Sequence, residues 1–351
     1  MGEKIKLAQG AGGQLMDRLI KEKILKYFEI ESESAEIPLS MLDDSAVIDD
    51  IVFTTDSHTV QPIIFPGGDL GSLSIAGTVN DISVMGAKPI ALSAGFIIEE
   101  GLSIETFETI VKSMGDVAKE VNVPIVTGDT KVVERGAIQE FMINTSGIGK
   151  RTKLLDENIN VVKKYRDFNS RWLLDSNLQD GDIIILSGNI GEHGIALMSY
   201  REGYGFETKI KSDIAPINGL MEKALSIGGI VSAKDPTRGG LANTVNDFSE
   251  KSNVGIVLEE ELLPIPDGVR SACDMLGIDP LEIGNEGKVV FGVVKEKADE
   301  VFEIIKKHPL GKNAEIIGEA TQKLKGVVLQ TTVGGKRNLH KPIGDPVPRI
   351  C

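Results

Sequence analysis

Gly71-Ser72-Leu73-Ser74-Ile75-Ala76-Gly77-Thr78-Val79-Asn80-Asp81-Ile82-Ser83-Val84-Met85 is the stretch on which the fold turns. It reads as a helix, and its small residues predict close packing on its neighbours. An acid flanked by Val79, Ile82 and Val84 is costly to bury without a partner or a metal, so Asp81 marks a point where chemistry enters the interior.

Upstream, Ile51-Val52-Phe53-Thr54-Thr55 reads as a buried strand running into Asp56, and Leu15 to Phe28 carries apolar residues at helical spacing. Downstream, Leu92 to Ile98 reads as a strand. Ile104, Phe107, Ile110, Val111, Met114, Val117, Ala118 and Val121 then form one helical apolar stripe. Val123 to Thr127 is a short strand ending at Gly128-Asp129, and 137–148 is another. Residues 150–179 are charged and weakly patterned, and the domain junction is placed there. The second half reads as strands over 182–187, 254–259, 288–294, 313–318 and 326–332. Its helices are expected over 193–202, 216–227, 239–251 and 295–307. Alternating strands and helices imply an α/β protein. The expected units are 1–155, 156–333 and a flexible tail over 334–351.

Composition narrows the function. Of 351 residues, 38 are Lys or Arg and 52 are Asp or Glu, a formal charge of −14. That balance argues against nucleic acid and against anionic membrane surfaces. No run of apolar residues is long enough to span a bilayer, and Met1 to Lys6 lacks a signal-peptide core, so the expected setting is cytoplasmic. Two cysteines make no disulfide framework. Cys273 sits in an apolar helical context and reads as a structural thiol. Cys351 is the last residue. Pro342, Gly344, Pro346 and Pro348 keep the segment from Gly334 onward from folding regularly, and fully stretched it spans about 55 Å, enough to carry a thiol into a distant cleft.

Acids end apolar elements in the first half: Asp43-Asp44, Asp56, Asp81 and Asp129. Loops beyond strand ends are where such folds gather ligands, and oxygen ligands suit Mg2+ bridging to phosphates. Each acid taken singly reads more readily as a cap or turn residue, and it is the four sites together that point to ligand binding. Gly10-Ala11-Gly12-Gly13 is either a phosphate cradle or a flexible turn. Lys234-Asp235-Pro236-Thr237-Arg238-Gly239-Gly240 is either an anion site or a capped helix start. Glu286, between Asn285 and Gly287, is either a base open to substrate or a turn residue. The four histidines have no metal-ligand spacing, and His193 reads as a helix-start residue.

Taken together, Gly10 to Gly13, Asp43-Asp44-Ser45-Ala46, Thr55-Asp56-Ser57-His58, Asn80-Asp81-Ile82-Ser83-Val84-Met85-Gly86-Ala87-Lys88-Pro89, Gly128-Asp129-Thr130-Lys131-Val132, Asp235 to Gly240 and Asn285-Glu286-Gly287 resemble the AIR-synthase-like (PurM-like) ATP-binding superfamily. The tail Pro348-Arg349-Ile350-Cys351 resembles its carbamoyl-dehydrating HypE branch. The resemblance implies a two-domain α/β (α+β) subunit whose N-terminal strands pair across a homodimer to close a β-barrel. It implies ATP and Mg2+ as cofactors. Asp43, Asp44, Asp81 and Asp129 are then the metal residues. Asp44, Asp56, Asn80, Asp81, Asp129, Asp235 and Arg238 are the nucleotide residues, and Cys351, Glu286 and Lys131 the catalytic ones. The resemblance further implies that a HypF-like carbamoyltransferase loads Cys351, that ATP drives dehydration to a thiocyanate, and that a HypC/HypD-like iron-carrying complex receives the cyanide for NiFe hydrogenase. The rival readings are a selenophosphate synthetase-like or kinase-like enzyme of the same fold, or a non-catalytic scaffold presenting Cys351. The glycine segment carries no cysteine of the kind selenophosphate synthetases have there.

Overall fold

In a computed structural model of the chain, residues 70–84 form a helix with no outward face: thirteen of its fifteen residues are buried. A helix apolar on every side belongs in the interior, and the molecule is built around this one. Asp69 caps it, accepting from the Ser72 N–H at 2.8 Å, while Ser72 Oγ accepts from the Asp69 N–H at 3.0 Å. Gly86, at φ +81°, ends it, and a Cβ there would meet Leu155 Cδ1 at 2.7 Å. The structure describes residues 4–28, 34–201, 209–344, 347 and 349–351. The expectations for Met1 to Glu3, the end of the helix at residue 202, Pro346 and Pro348 lie outside the described residues.

In chain order the first half comprises α1 (Gly13–Leu19), β1 (Ala35–Ile37), β2 (Ala46–Ile48), β3 (Ile51–His58), β4 (Ile64–Phe65), β5 (Gly68–Asp69), α2 (Leu70–Val84), β6 (Lys88–Glu99), α3 (Ile104–Glu120), β7 (Ile125–Val133) and β8 (Phe141–Lys150). The second half comprises α4 (Lys153–Val162), β9 (Ile183–Leu186), α5 (Glu192–Tyr200), α6 (Asn218–Leu225), β10 (Ile230–Lys234), α7 (Gly240–Ser252), β11 (Gly255–Glu259), α8 (Asp267–Leu276), β12 (Val290–Val293), α9 (Ala298–Lys307), β13 (Glu315–Thr321), β14 (Val327–Gln330) and β15 (Lys336–Leu339).

The first sheet runs β1-β2-β3-β8-β6-β7 and the second β10-β12-β9-β13-β11-β14-β15. Pairing is antiparallel except at β6–β7 and β11–β14, so the mixed architecture is of the α+β kind. Alternation of elements along the chain does not reveal this, because most crossovers return the strand in the opposite sense. The helix α2 lies on β3 and β8 with α3 beside it. The other face of the first sheet carries exposed Ile51, Phe53, Ile97 and Ile148, with Phe53 directly opposite Ile148. One core joins Ile82, Val84 and Met85 to the second sheet, and another joins Leu73, Ile75 and Val79 to α3.

Two expectations change, for the N-terminal helix and the tail, and the 150–179 stretch holds a helix that its weak pattern did not show. The N-terminal helix is regular only to Leu19 and continues as a π turn and a 3-10 turn, where Ile24 and Phe28 are exposed and no packing holds the pitch. The charged 150–179 stretch is ordered: Leu155, Ile159 and Val162 form the buried face of α4. The tail begins with a regular strand, β15, because the β14 edge is open to pair with it before the prolines.

Asn158 of α4 is fully buried and satisfies both backbone groups of Ile230 in edge strand β10, accepting at 2.9 Å and donating at 2.8 Å. Asn158→Leu strands both groups, so unfolding free energy should fall by about 2–4 kcal/mol. Urea titration should show a lower midpoint at unchanged slope.

Candidate active site

The polar edge of α2 opens into a cleft walled by β3, the 42–44 turn, the start of α1, the 234–238 segment and Glu286. Leu42, at φ +51°, turns the chain so that Asp43 and Asp44 enter the cleft. Strand alternation puts Thr54, Asp56 and His58 on the α2 side. Thr54 Oγ1 donates to Asp81 Oδ2 at 2.8 Å, and Thr78 Oγ1 donates to Asp56 Oδ2 at 3.3 Å. From the second half, β10 delivers Lys234 and then Asp235. Glycines 239 and 240, at φ +79° and +59°, carry the chain into α7, and a Cβ on Gly240 would meet the Ile283 carbonyl at 2.4 Å. Asn285 donates to the Pro236 carbonyl at 3.1 Å and accepts from the Gly191 N–H at 2.7 Å. That fixes the loop from which Glu286 enters the cleft.

Eight carboxylates line this cleft against one lysine and one arginine. Burial, then the charge of Asp175, pushes Asp43 up to about 7. Burial pushes Asp44 up to about 6 against the pull of Lys234, whose Nζ lies 2.6 Å from Asp44 and 3.0 Å from Asp175. Burial, then Asp44, pushes Asp235 up to about 8. Asp81 and Glu286 are held well above the usual carboxylate range, again by burial and then by neighbouring acids. Among the described residues, buried oxygens of Asp43, Asp235 and Glu286 have no hydrogen-bond partner. Such a wall repels bare polyphosphate and fits a divalent cation shared between carboxylates and phosphates. Among the described residues no group of three or more His, Cys, Asp or Glu side chains could hold a metal ion alone; Mg2+ is usually held by one or two carboxylates together with phosphates and waters, not in an all-protein cage.

The chain's own C-terminus is seated in this cleft. The Thr59 N–H donates to the Cys351 carboxylate at 3.0 Å, the Gln61 N–H to the Arg349 carbonyl at 3.3 Å, and Arg349 Nε to the Thr59 carbonyl at 3.0 Å. Arg201 Nη2 donates to the Arg349 carbonyl at 2.8 Å. Val347 and Ile350 are buried. The seat of Ile350 exists because residue 284 lacks a side chain: a Cβ on Gly284 would meet Ile350 Cδ1 at 2.1 Å. The Arg238 guanidinium is raised first by negative charge at Cys351 and further by Asp56, Asp81 and Glu286. Nearer its root the tail is anchored by Lys341, which pairs with Asp247 at 2.6 Å, Asp17 at 2.9 Å and Glu250 at 3.0 Å.

The structure therefore brings together Asp43, Asp44, Asp56, Asp81, Asp235, Arg238, Glu286 and Cys351. It does not bring Asn80, Asp129 or Lys131 to the cleft wall. The Asn80 amide is spent on the Ala215 and Glu286 carbonyls, both at 3.1 Å, and on the Ile217 N–H at 2.9 Å. It clasps the two halves behind the cleft. Asp129 and Lys131 are exposed on β7, an edge strand that continues to Val133 instead of ending at Gly128. Asp129 is a mid-strand residue in register with Gly95. The residues that sequence reasoning missed are Lys234, Asp175, Thr59, Arg201 and His193. For Lys234 a signal exists: a lysine closing the apolar run Ile230-Val231-Ser232-Ala233 needs an acidic partner.

Residues 42–150 match the AIR synthase related protein N-terminal domain and residues 179–329 its C-terminal domain. The chain is 53% identical to a putative hydrogenase expression/formation protein of Methanocaldococcus jannaschii, over 99% of this chain and 100% of the relative. It is 40% identical to carbamoyl dehydratase HypE of Escherichia coli, over 99% of each chain. It resembles the crystal structure of a HypE–HypF complex at TM-score 0.81 and 45% identity, covering 92% of this chain and 99% of that one. It resembles HypE crystallised with ATP at TM-score 0.78 and 38% identity, covering 99% and 100%.

Acids with raised values hold their protons in the folded chain at pH values where the unfolded chain has lost them. The stability they contribute is present below the ordinary value of 3.8 and disappears as pH rises through about 7 for Asp43 and about 8 for Asp235. Burial lowers His58 and His193, whose effect lies below 6.5. Without metal or nucleotide, the melting temperature should therefore fall between pH 6.5 and about 9, and Asp235→Asn should flatten that slope. Differential scanning calorimetry across the window checks both.

Proposed function

The chain belongs to the AIR synthase related proteins and, within them, to the carbamoyl dehydratase HypE family, and on that premise we propose that it dehydrates a carbamoyl group carried on its own Cys351 to a thiocyanate, using ATP, to supply the cyanide ligand of NiFe hydrogenase iron. The observation that carries this reading is that Cys351 lines the same cleft as Asp44, Asp81, Asp235 and Glu286.

The chemistry balances as follows. The carbamoyl oxygen attacks the γ-phosphorus of ATP, an O–P bond forms, ADP leaves and one N–H proton is lost. The C–O bond then breaks, phosphate departs with its electron pair, the second N–H proton is lost and the carbon–nitrogen triple bond forms. Glu286 is the candidate acceptor of these protons. Its upward shift makes it a stronger base once ionised, and the Arg238 charge opposes that shift. Asp44 and Asp81, with Asp43, Asp56 and Asp235 beside them, are the residues that would hold Mg2+, whose charge offsets that of the phosphates. Thr59 and the Ile350 pocket hold the tail so that Cys351 lines the same cleft as Glu286.

A HypF-like carbamoyltransferase is the proposed source of the group, as a relative was crystallised with HypF, and a HypC/HypD-like iron-carrying complex is the proposed acceptor. A homodimer with a shared barrel is proposed for the uncovered face bearing Ile51, Phe53, Ile97 and Ile148. Parts for Asp129 and Lys131 rest on that second copy, as both stand outside their own chain's cleft.

Phosphate release should depend on prior carbamoylation. Cys351→Ala should abolish the carbamoyl-dependent release, and Glu286→Gln should slow it by about 10²–10⁴-fold without preventing carbamoylation. A Cys351→Ala chain that releases phosphate at the wild-type rate would refute the reading.

A further inference from the structure

His193 is wholly buried, one residue into α5, and it touches the tail. Its Nε2 lies 2.7 Å from the Ile350 carbonyl, one residue before Cys351. Its Nδ1 lies 2.7 Å from Ser212 Oγ. A carbonyl only accepts, so Nε2 carries the proton and Nδ1 accepts from the serine hydroxyl. The ring stands edge-on to Phe65 at 5.7 Å, which fixes its plane. Glu286 Oε1 lies 3.9 Å from the same Nε2, and that oxygen has no hydrogen-bond partner among the described residues. The Gly191 N–H that opens α5 is itself held by Asn285, the neighbour of Glu286. One N–H thus faces two acceptors, of which it bonds one.

We propose that His193 is a positioning residue that latches the seated tail through the Ile350 carbonyl and thereby leaves Glu286 open toward Cys351. When the tail departs, the Nε2–H loses its acceptor, and Glu286 is the acceptor at hand. The pair then closes over the position the tail vacated. Docking and the availability of the carboxylate are coupled through a single proton donor. The part concerning Glu286 rests on the function proposed above; the latch itself does not.

The two nitrogens separate by substitution. Glutamine at 193 places an amide N–H where Nε2 is and still reaches Ile350. Asparagine reaches only as far as Nδ1, toward Ser212. The readout is the rate at which iodoacetamide alkylates Cys351, with buried Cys273 of the same chain as the reference for unfolding. Loss of one buried hydrogen bond should raise the Cys351 rate about tenfold in His193→Asn, while His193→Gln stays near wild type. Equal rates in the two variants, whether both unchanged or both raised, would overturn the latch. If Cys273 reactivity rises as well, the wild-type chain decides: capping Cys351 with a bulky maleimide should move the His193 Nε2 resonance in 15N spectra, and an unmoved resonance rejects the proposal. Neither readout uses ATP or the carbamoyl group, so failure here and failure of the dehydratase reading are distinguishable.

Discussion

A helix buried on all sides leaves its polar side chains nowhere to go but into specific partners, and α2 sets the rest of the molecule by this constraint. Asn80 and Asp81 are consecutive, so they leave the helix in different directions. Asn80 finds three backbone partners in the second half and ties Ala215, Ile217 and Glu286 to the first. Asp81 takes one bond from Thr54 and otherwise looks into the cleft. The clasp and the site are two consequences of one buried turn of helix. Moving α2 would unseat the Glu286 loop and re-aim Asp81 together.

The cleft so formed carries more negative charge than its own cations offset. Lys234 and Lys251 are committed to Asp44 and Asp175, and Arg238 answers first to negative charge at Cys351 and then to Asp56, Asp81 and Glu286. The folded chain tolerates this by keeping several acids protonated, which costs stability as pH rises. Such a wall disfavours a bare polyphosphate, and that is the physical reason the nucleotide proposed above would enter with a cation that offsets its charge. The tail adds to the tension: seating it brings a further carboxylate to Thr59 and Arg238. Its hold comes from backbone hydrogen bonds, from the Ile350 seat over Gly284 and, nearer its root, from the Lys341 ion pairs.

Strong patterns were legible in the sequence. The stripe from Ile104 to Val121 is α3, and the small-residue segment from Gly71 to Met85 is the buried α2. The acids at 43, 44, 56, 81 and 235 share one cleft with Glu286 and Cys351. What escaped has physical causes. The helix α4 hid because Leu155, Ile159 and Val162 stand among Asp156, Glu157, Lys163 and Lys164. Strand direction is not written in alternation, so antiparallel pairing surfaced only in the sheets. Asp129 was read as a strand-end acid because β-propensity fades at Gly128, whereas pairing with β6 carries the strand on to Val133. His193 carries no motif; its role comes from a carbonyl more than 150 residues away in the chain, at Ile350.

The central claim is that the C-terminal sulfur carries its cargo into the chain's own acidic cleft for dehydration there. Intact-mass analysis of the carbamoylated chain after incubation with ATP and Mg2+ tests it most directly. The account requires the Cys351 adduct to become lighter by one water. An adduct of unchanged mass in a chain that has consumed ATP would contradict it.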